Sequence, residues 1–377
     1  MGDRLAAELP QRRERLAALL EGAGVDAVFL PPSADLEYLT GLERDIPPFG
    51  EISYAHGWVA GAFLAPGREP AFVLPRMVVD FHLGGVPPEG AVVVRETDHG
   101  ERLFYEAAGA LGPIRRLGVG ARTWARTVLE LQAALPGTEL LDASALVGRL
   151  RRVKSALELE LLGDACRIVE RAVGDAAVRV VPGASMLDLV EEVEHRLRAH
   201  GSRCPSFPTH VFTYGPQAKD SAAASGRDPL AEGEVVMFDA GGVLHGYCSD
   251  YGRTVACGEP PAGYEDAIAT MLAAQEAGRA ALVPGATAAE VNAACRAPIE
   301  EAGLGTAFRH RMGHGIGLDV HEPPFLSPED ATPLEAGMTF TDEPSLLLDG
   351  RFGVRVEDVV ACAEGGGHPL GDAPPTV

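Results

Sequence analysis

Positive charge is scarce in this chain. Lysine and arginine number 32 against 54 aspartates and glutamates, a formal net charge of −22 over 377 residues. Such a surface repels phosphate backbones, so nucleic acid is excluded as an expected partner. Long apolar runs are missing too. None approaches the roughly eighteen residues that a bilayer-spanning helix needs, so no membrane partner is expected. The first residues, MGDRLAAELPQRRERL, are charged and amphipathic and lack the apolar stretch of a secretory signal; the expected location is cytoplasmic. Cysteines number six, at 166, 204, 248, 257, 295 and 362, and none forms a CxxC pair. No spacing supports a structural zinc site, and the reading is reduced, mostly buried thiols. A glycine-rich phosphate loop is also absent, because residues 84–90 (GGVPPEG) form a turn pattern rather than GxGxxG before a helix.

The length exceeds one ordinary core and implies two domains. Residues 1–150 alternate helical patterns (1–22, 35–42, 101–111, 123–135) with strand-like runs (25–30, 58–64, 70–74, 91–95, 116–120, 138–142). That alternation predicts an α/β layer domain. The boundary falls near 150, and residues 151–377 change character to an α+β pattern. Helices are expected to about 179 and over 185–200, 262–282 and 287–302. Strands are expected over 234–242, 247–256, 338–344 and 351–362. A helix–ValProGly–helix pattern occurs twice, over 165–200 and 264–302, each followed by strands bearing acidic residues or histidine. That echo has two readings: the ordinary use of Pro-Gly between helices, or an internal duplication with a site at its pseudo-symmetric centre.

The most unusual stretch is His310-Arg-Met-Gly-His314-Gly-Ile-Gly-Leu-Asp-Val-His321-Glu. Histidine is the side chain most readily used as a neutral metal ligand or proton carrier near pH 7. Gly313, Gly315 and Gly317 clear bulk around His314. Asp239, Asp250, Glu343 and Glu357 lie in or at the ends of neighbouring predicted strands. Arg355 and Glu357 are two apart, so they share a strand face, and a carboxylate turned inward there needs a partner. Four carboxylates and one imidazole suit two divalent cations, manganese or cobalt first, with iron or zinc as alternatives.

These residues resemble the pita-bread metallopeptidase family: aminopeptidase P, prolidase and methionine aminopeptidase, with creatinase-like two-domain members. The likeness rests on residues 238–254 (FDAGG…GYCSDYGRT), 310–323, 338–344 (MTFTDEP) and 353–358 (GVRVED), with weaker matches at 38–41, 152–159 and 206–216. It implies a creatinase-like α/β N-terminal domain, a mixed sheet with helices, followed by an α+β pita-bread catalytic domain. The implied metal ligands are Asp239, Asp250, His314, Glu343 and Glu357. Glu343 also matches a proton shuttle, and His321 a histidine that contacts substrate and stabilises the tetrahedral intermediate. His310 matches a histidine of the leaving-side pocket, and Arg355 an arginine orienting the last glutamate. The implied reaction is hydrolysis of Xaa-Pro dipeptides, or of the N-terminal residue before proline, by metal-bound hydroxide. The implied partners are a small peptide or amide and a second copy of the chain, with Arg44, Asp45, His56 and Trp58 as pocket-lining candidates.

Two departures stand out. The family's histidine about seventeen residues before the first aspartate is replaced by Ala222, and its tyrosine four residues after the first glutamate by Leu347. Substitutes for the histidine are His210, Lys219 or Asp220, although His210 reads first as an ordinary strand residue. The departures keep one rival open, a pita-bread enzyme with a non-peptide substrate, ectoine-hydrolase-like or lyase-like; against a third reading, a non-catalytic binding module on the same fold, stand the intact ligand set and the acidic chain.

Overall fold

The structure is a computed structural model and describes residues 2–44 and 55–374. The chain divides into two compact units, residues 1–151 and 152–377. The first unit contains α1 (Gly2–Ala23), β1 (Ala27–Leu30), α2 (Ala34–Thr40), β2 (Gly61–Leu64), β3 (Ala71–Pro75) and α3 (Arg76–His82). It continues with β4 (Val92–Val94), α4 (Gly100–Gly109), β5 (Arg116–Val119), α5 (Ala125–Ala134), β6 (Glu139–Asp142) and α6 (Ser144–Arg152). Its sheet runs β4-β3-β2-β1-β5-β6. The β1–β5, β5–β6 and β3–β4 pairs are parallel and β2 is antiparallel to both neighbours, which makes a mixed sheet. All four residues of β1 are buried, as a central strand covered on both faces requires. Phe104 packs its ring 5.6 Å from Phe29 and 5.2 Å from Trp58 in the core.

Two expectations here were displaced. Residues 57–59 form a 3₁₀ turn rather than the start of a strand. Helix α3 carried no helical signal, because Phe81, 71% exposed, breaks the one-sided apolar pattern.

The second unit contains α7 (Ala156–Ala177), α8 (Met186–Ala199), β7 (His210–Thr213), β8 (Val235–Ala240), β9 (Val243–Leu244), β10 (Tyr247–Cys248), β11 (Tyr251–Ala256) and α9 (Tyr264–Ala281). Then come α10 (Ala288–Glu301), β12 (Gly313–Gly315), β13 (Glu322–Leu326), β14 (Thr339–Asp342), β15 (Ser345–Leu347), β16 (Gly353–Arg355), β17 (Asp358–Ala361) and β18 (His368–Pro369). Its main sheets are β11-β8-β7 and β13-β12-β14-β17-β18.

The two ValProGly turns make matching backbone hydrogen bonds. Gly183 and Gly285 follow the two prolines with φ 96° and 89°, a region open to glycine. Gly183 N–H donates to Leu230 O, and Leu230 N–H returns to Ala184 O. Gly285 and Leu334 repeat this, with Ala286 as the return acceptor. Ser185–Asp188 and Thr287–Glu290 capping boxes then start α8 and α10. Further on, Gly233 N–H donates to Cys257 O and Gly337 N–H to Cys362 O, while the Cys257 and Cys362 N–H groups return to Glu234 O and Met338 O. Asp239 lies six residues after the first of these glycines and Glu343 six after the second.

The predicted strands 247–256 and 351–362 are each split in two. The chain changes partner there: β16 pairs with β15, whereas β17 pairs with β14. Asp250, Glu343 and Glu357 all fall at such breaks rather than inside strands.

Five of the six cysteines are buried and Cys204 is half-buried. Burial pushes the Cys166 and Cys295 thiols well up and that of Cys362 to about 11. We expect an Ellman titration of native protein at pH 8 to leave these three unreacted, and denaturation to release them; peptide mapping showing native modification of Cys166 or Cys295 would contradict the packing.

Candidate metal centre

The strand breaks of the second unit bring three donors together. One ligand atom each from Asp250, His314 and Glu357 lies within 4.8 Å of the other two, and all three residues are buried. His314 follows Gly313 on β12, where a Cβ would lie 2.0 Å from Thr341 O; at Gly315 it would lie 2.5 Å from Glu322 O. The glycine frame is therefore required for close backbone approach. His314 Nδ1 donates to Gly315 O at 3.0 Å, which leaves the Nε2 lone pair facing the carboxylates. Nε2 is 3.6 Å from Asp250 Oδ2 and 3.5 Å from Glu343 Oε1. Those separations are too long for hydrogen bonds. They suit atoms that each sit about 2.1 Å from a shared ion.

Asp239 joins through Arg355, whose Nη1 bonds Asp239 Oδ2 and lies 3.5 Å from Glu357 Oε2; Nη2 is 3.9 Å from Glu343 Oε2. Thr341 orients two members by accepting from His314 N–H at 3.0 Å and donating to Glu343 Oε1 at 3.3 Å. Gly252 makes room, since a Cβ there would lie 2.8 Å from Glu357 Oε2.

The electrostatics of this cluster are lopsided. Burial, then the neighbouring carboxylates, pushes Asp250 and Glu357 well above the usual carboxylate range. Burial pushes Glu343 up to about 7. Among the described residues, Asp250 Oδ1 and Glu357 Oε2 are buried without a hydrogen-bond partner. A bound cation reverses the push on each of these groups. Burial holds His314 down at about 3 and His310 at about 4, so both imidazoles are neutral at pH 7, as metal ligation by His314 requires. The donor set and its orphaned oxygens thus fit divalent cations.

The other predicted residues fall around this cluster. His321 is exposed, its ring 4.2 Å from that of His314. Glu322 beside it takes the Asp319 N–H at 3.0 Å and the buried Lys154 Nζ at 3.3 Å, which fixes the turn carrying His321. His310 Nδ1 donates to Arg311 O at 2.7 Å, so its Nε2 accepts from Ser345 Oγ. Ala222 is exposed, and Leu347 is half-buried on β15. Lys219 is engaged elsewhere, its Nζ on Glu234 and on Pro229 O. In the first unit Arg44 is buried against Glu37, Trp58 is buried under Arg126, and His56 is half-buried; Asp45 lies outside the described residues.

Sequence reasoning missed the support behind the cluster. Asp342 and Asp358, each next to a glutamate of the site, pair across β14 and β17. Arg279 of α9 bonds both, at 2.8 Å and 2.5 Å. Arg253, 1% exposed, reaches Asp358 at 2.6 Å and Glu357 O at 2.7 Å. Gln275 donates to Asp358 at 3.0 Å and to Asp342 O at 3.1 Å. The available signal was the two acidic doublets, Asp342-Glu343 and Glu357-Asp358, inside apolar runs.

The fold and the cluster together define a two-unit metallohydrolase. Residues 160–364 match metallopeptidase family M24, and residues 12–153 match the creatinase/prolidase N-terminal domain. The chain belongs to family M24. It is 32% identical over 375 residues to a probable dipeptidase PepE of Mycobacterium tuberculosis, covering 98% of this chain and 96% of that one. Identity to an Xaa-Pro dipeptidase of Pyrococcus furiosus is 27%, covering 96% and 98%. A solved Xaa-Pro dipeptidase from Bacillus anthracis superposes with TM-score 0.82 at 27% identity, covering 97% of this chain and 98% of that one.

Removing one member of a buried ion pair costs about 3–5 kcal/mol. We expect Arg253→Met to lower the melting temperature by about 10 °C in differential scanning fluorimetry. An unchanged melting temperature would mean that this support network does not hold the strands.

Proposed function

We propose that this chain is a metal-dependent peptidase that cleaves Xaa-Pro dipeptides, or the N-terminal residue before proline, at a two-metal centre. The observation that carries the reading is the convergence of Asp250, His314 and Glu357 around buried oxygens with no hydrogen-bond partner among the described residues. Asp239, Asp250, His314, Glu343 and Glu357 would hold the ions. Oxygen-rich ligation with one imidazole supports manganese, with cobalt, iron or zinc as alternatives. Bound divalent ions supply Lewis acidity toward a carbonyl oxygen and lower the pKa of water.

The chain's own residues then divide the work. Arg355 orients Asp239 and offsets part of the negative charge. Glu343 carries a proton from the attacking water to the leaving nitrogen. His321, open to solvent beside His314, meets the substrate oxygen as it gains charge. His310, with its proton fixed on Nδ1, lines the leaving side. The names of the relatives support the proline-containing substrate. The family resemblance supports a cytoplasmic homodimer, with residues 1–150 as the creatinase-like domain and 151–377 as the catalytic one.

The test is proline release from an Xaa-Pro dipeptide panel, manganese-loaded against chelated, with Asp250→Ala alongside and metal content measured. We expect about two ions per chain, with turnover falling roughly a hundredfold on chelation and in the variant. Turnover indifferent to chelator, or none with both ions bound, would overturn the reading.

A further inference from the structure

Four residues form one row across the strands of the candidate centre. His210 on β7 stands opposite Asp239 on β8, Asp239 opposite Gly252 on β11, and Gly252 bridges to Glu357. Residues directly opposite in antiparallel pairs turn their side chains to the same face. Here it is the face of the centre: a Cβ at Gly252 would meet Glu357 Oε2, and Arg355 reaches Asp239. His210 therefore sits at the rim, one strand spacing of about 4.8 Å beyond Asp239. It is half-exposed.

Its ring is held in place. Nε2 lies 2.8 Å from Asp220 Oδ1, and the Phe212 ring packs 4.9 Å away at 32°. Asp220 belongs to a segment laid along β7, bridged to Phe212 and tied by Ser221 N–H to Val211 O at 3.0 Å. The same Oδ1 accepts the Ala222 N–H at 2.8 Å. A carboxylate only accepts, so Nε2 carries a proton, and in the tautomer with a single ring proton Nδ1 is the acceptor. Among the described residues Nδ1 has no hydrogen-bond partner. The rim thus turns the His210 ring to the same face as the Asp239 carboxylate, one strand away. That pair is suited to an amine with several N–H groups.

We propose that His210, oriented by Asp220, binds the free α-amino group of the peptide substrate together with Asp239. It is a specificity-determining residue, and it supplies a polar contact that the Ala222 methyl cannot. The inference rests on the peptidase reading above.

The test compares the manganese-loaded protein with His210→Ala and Asp220→Asn. Steady-state kinetics on the best dipeptide are combined with inhibition by a non-cleavable Xaa-Pro dipeptide analogue, with and without its α-amino group. Loss of one hydrogen bond predicts KM about tenfold higher in His210→Ala, with kcat within about twofold. The preference for the amino-bearing inhibitor should shrink by the same factor, and Asp220→Asn should give a smaller shift in the same direction. Metal content and melting temperature should not move. An unaltered KM and inhibitor preference in His210→Ala would overturn the proposal while leaving the peptidase reading intact. Equal loss of affinity for both inhibitors would reduce His210 to a structural residue and overturn it too. No turnover by the unaltered protein would overturn the peptidase reading and this inference with it.

Discussion

Buried negative charge is the constraint on which the catalytic unit depends. The acidic doublets send one carboxylate to each side of their strands. On the far side, Asp342 and Asp358 meet Arg279 and Arg253, two negative charges against two positive. On the near side, four carboxylates share one bonded arginine, Arg355, and burial pushes Asp250, Glu343 and Glu357 toward the protonated form, a push that a cation would reverse. The protein balances its charge where it needs rigidity and withholds balance where it needs a cation. Neutral His314 adds a donor there without adding charge.

A repeated local pattern builds this cluster from distant parts of the chain. Each half runs helix, Pro-Gly turn, helix, then a Gly corner locked to a Cys. A strand leaves each corner and delivers a carboxylate six residues later, Asp239 in one half and Glu343 in the other. The return strands carry Asp250 and Glu357 at their breaks. Both corners are fixed by the same backbone hydrogen bonds, so main-chain geometry sets where each strand starts, and the side chains behind the cluster hold it there. The breaks matter equally: a continuous strand would alternate its side chains between faces, whereas a change of partner re-aims one residue.

Much of this was legible in the sequence. Alternating apolar strands and capped helices set the element order, because period and capping are local properties. The five candidate ligands were legible because acidic residues and a glycine-framed histidine inside apolar runs are costly to bury unless they bind something. The strand breaks at Asp250 and Glu357 were not, since switching partner is decided by the other strands. Helix α3 was missed because it exposes Phe81. The Arg253–Arg279 support was invisible for a different reason: an arginine in a helix or strand reads as surface until its partner is placed. His210 shows the same limit, an ordinary strand residue until register sets it opposite Asp239.

The chain has only two lysines, Lys154 and Lys219, and both lie buried against glutamates. Every other basic side chain apart from histidine is arginine, which keeps its charge at any pH a folded protein tolerates. The cationic part of the surface therefore cannot be titrated away by alkali, and these two side-chain amines are shielded from acylation. The arginine part of its charge pattern is held across the alkaline range in which a lysine-rich surface would lose charge.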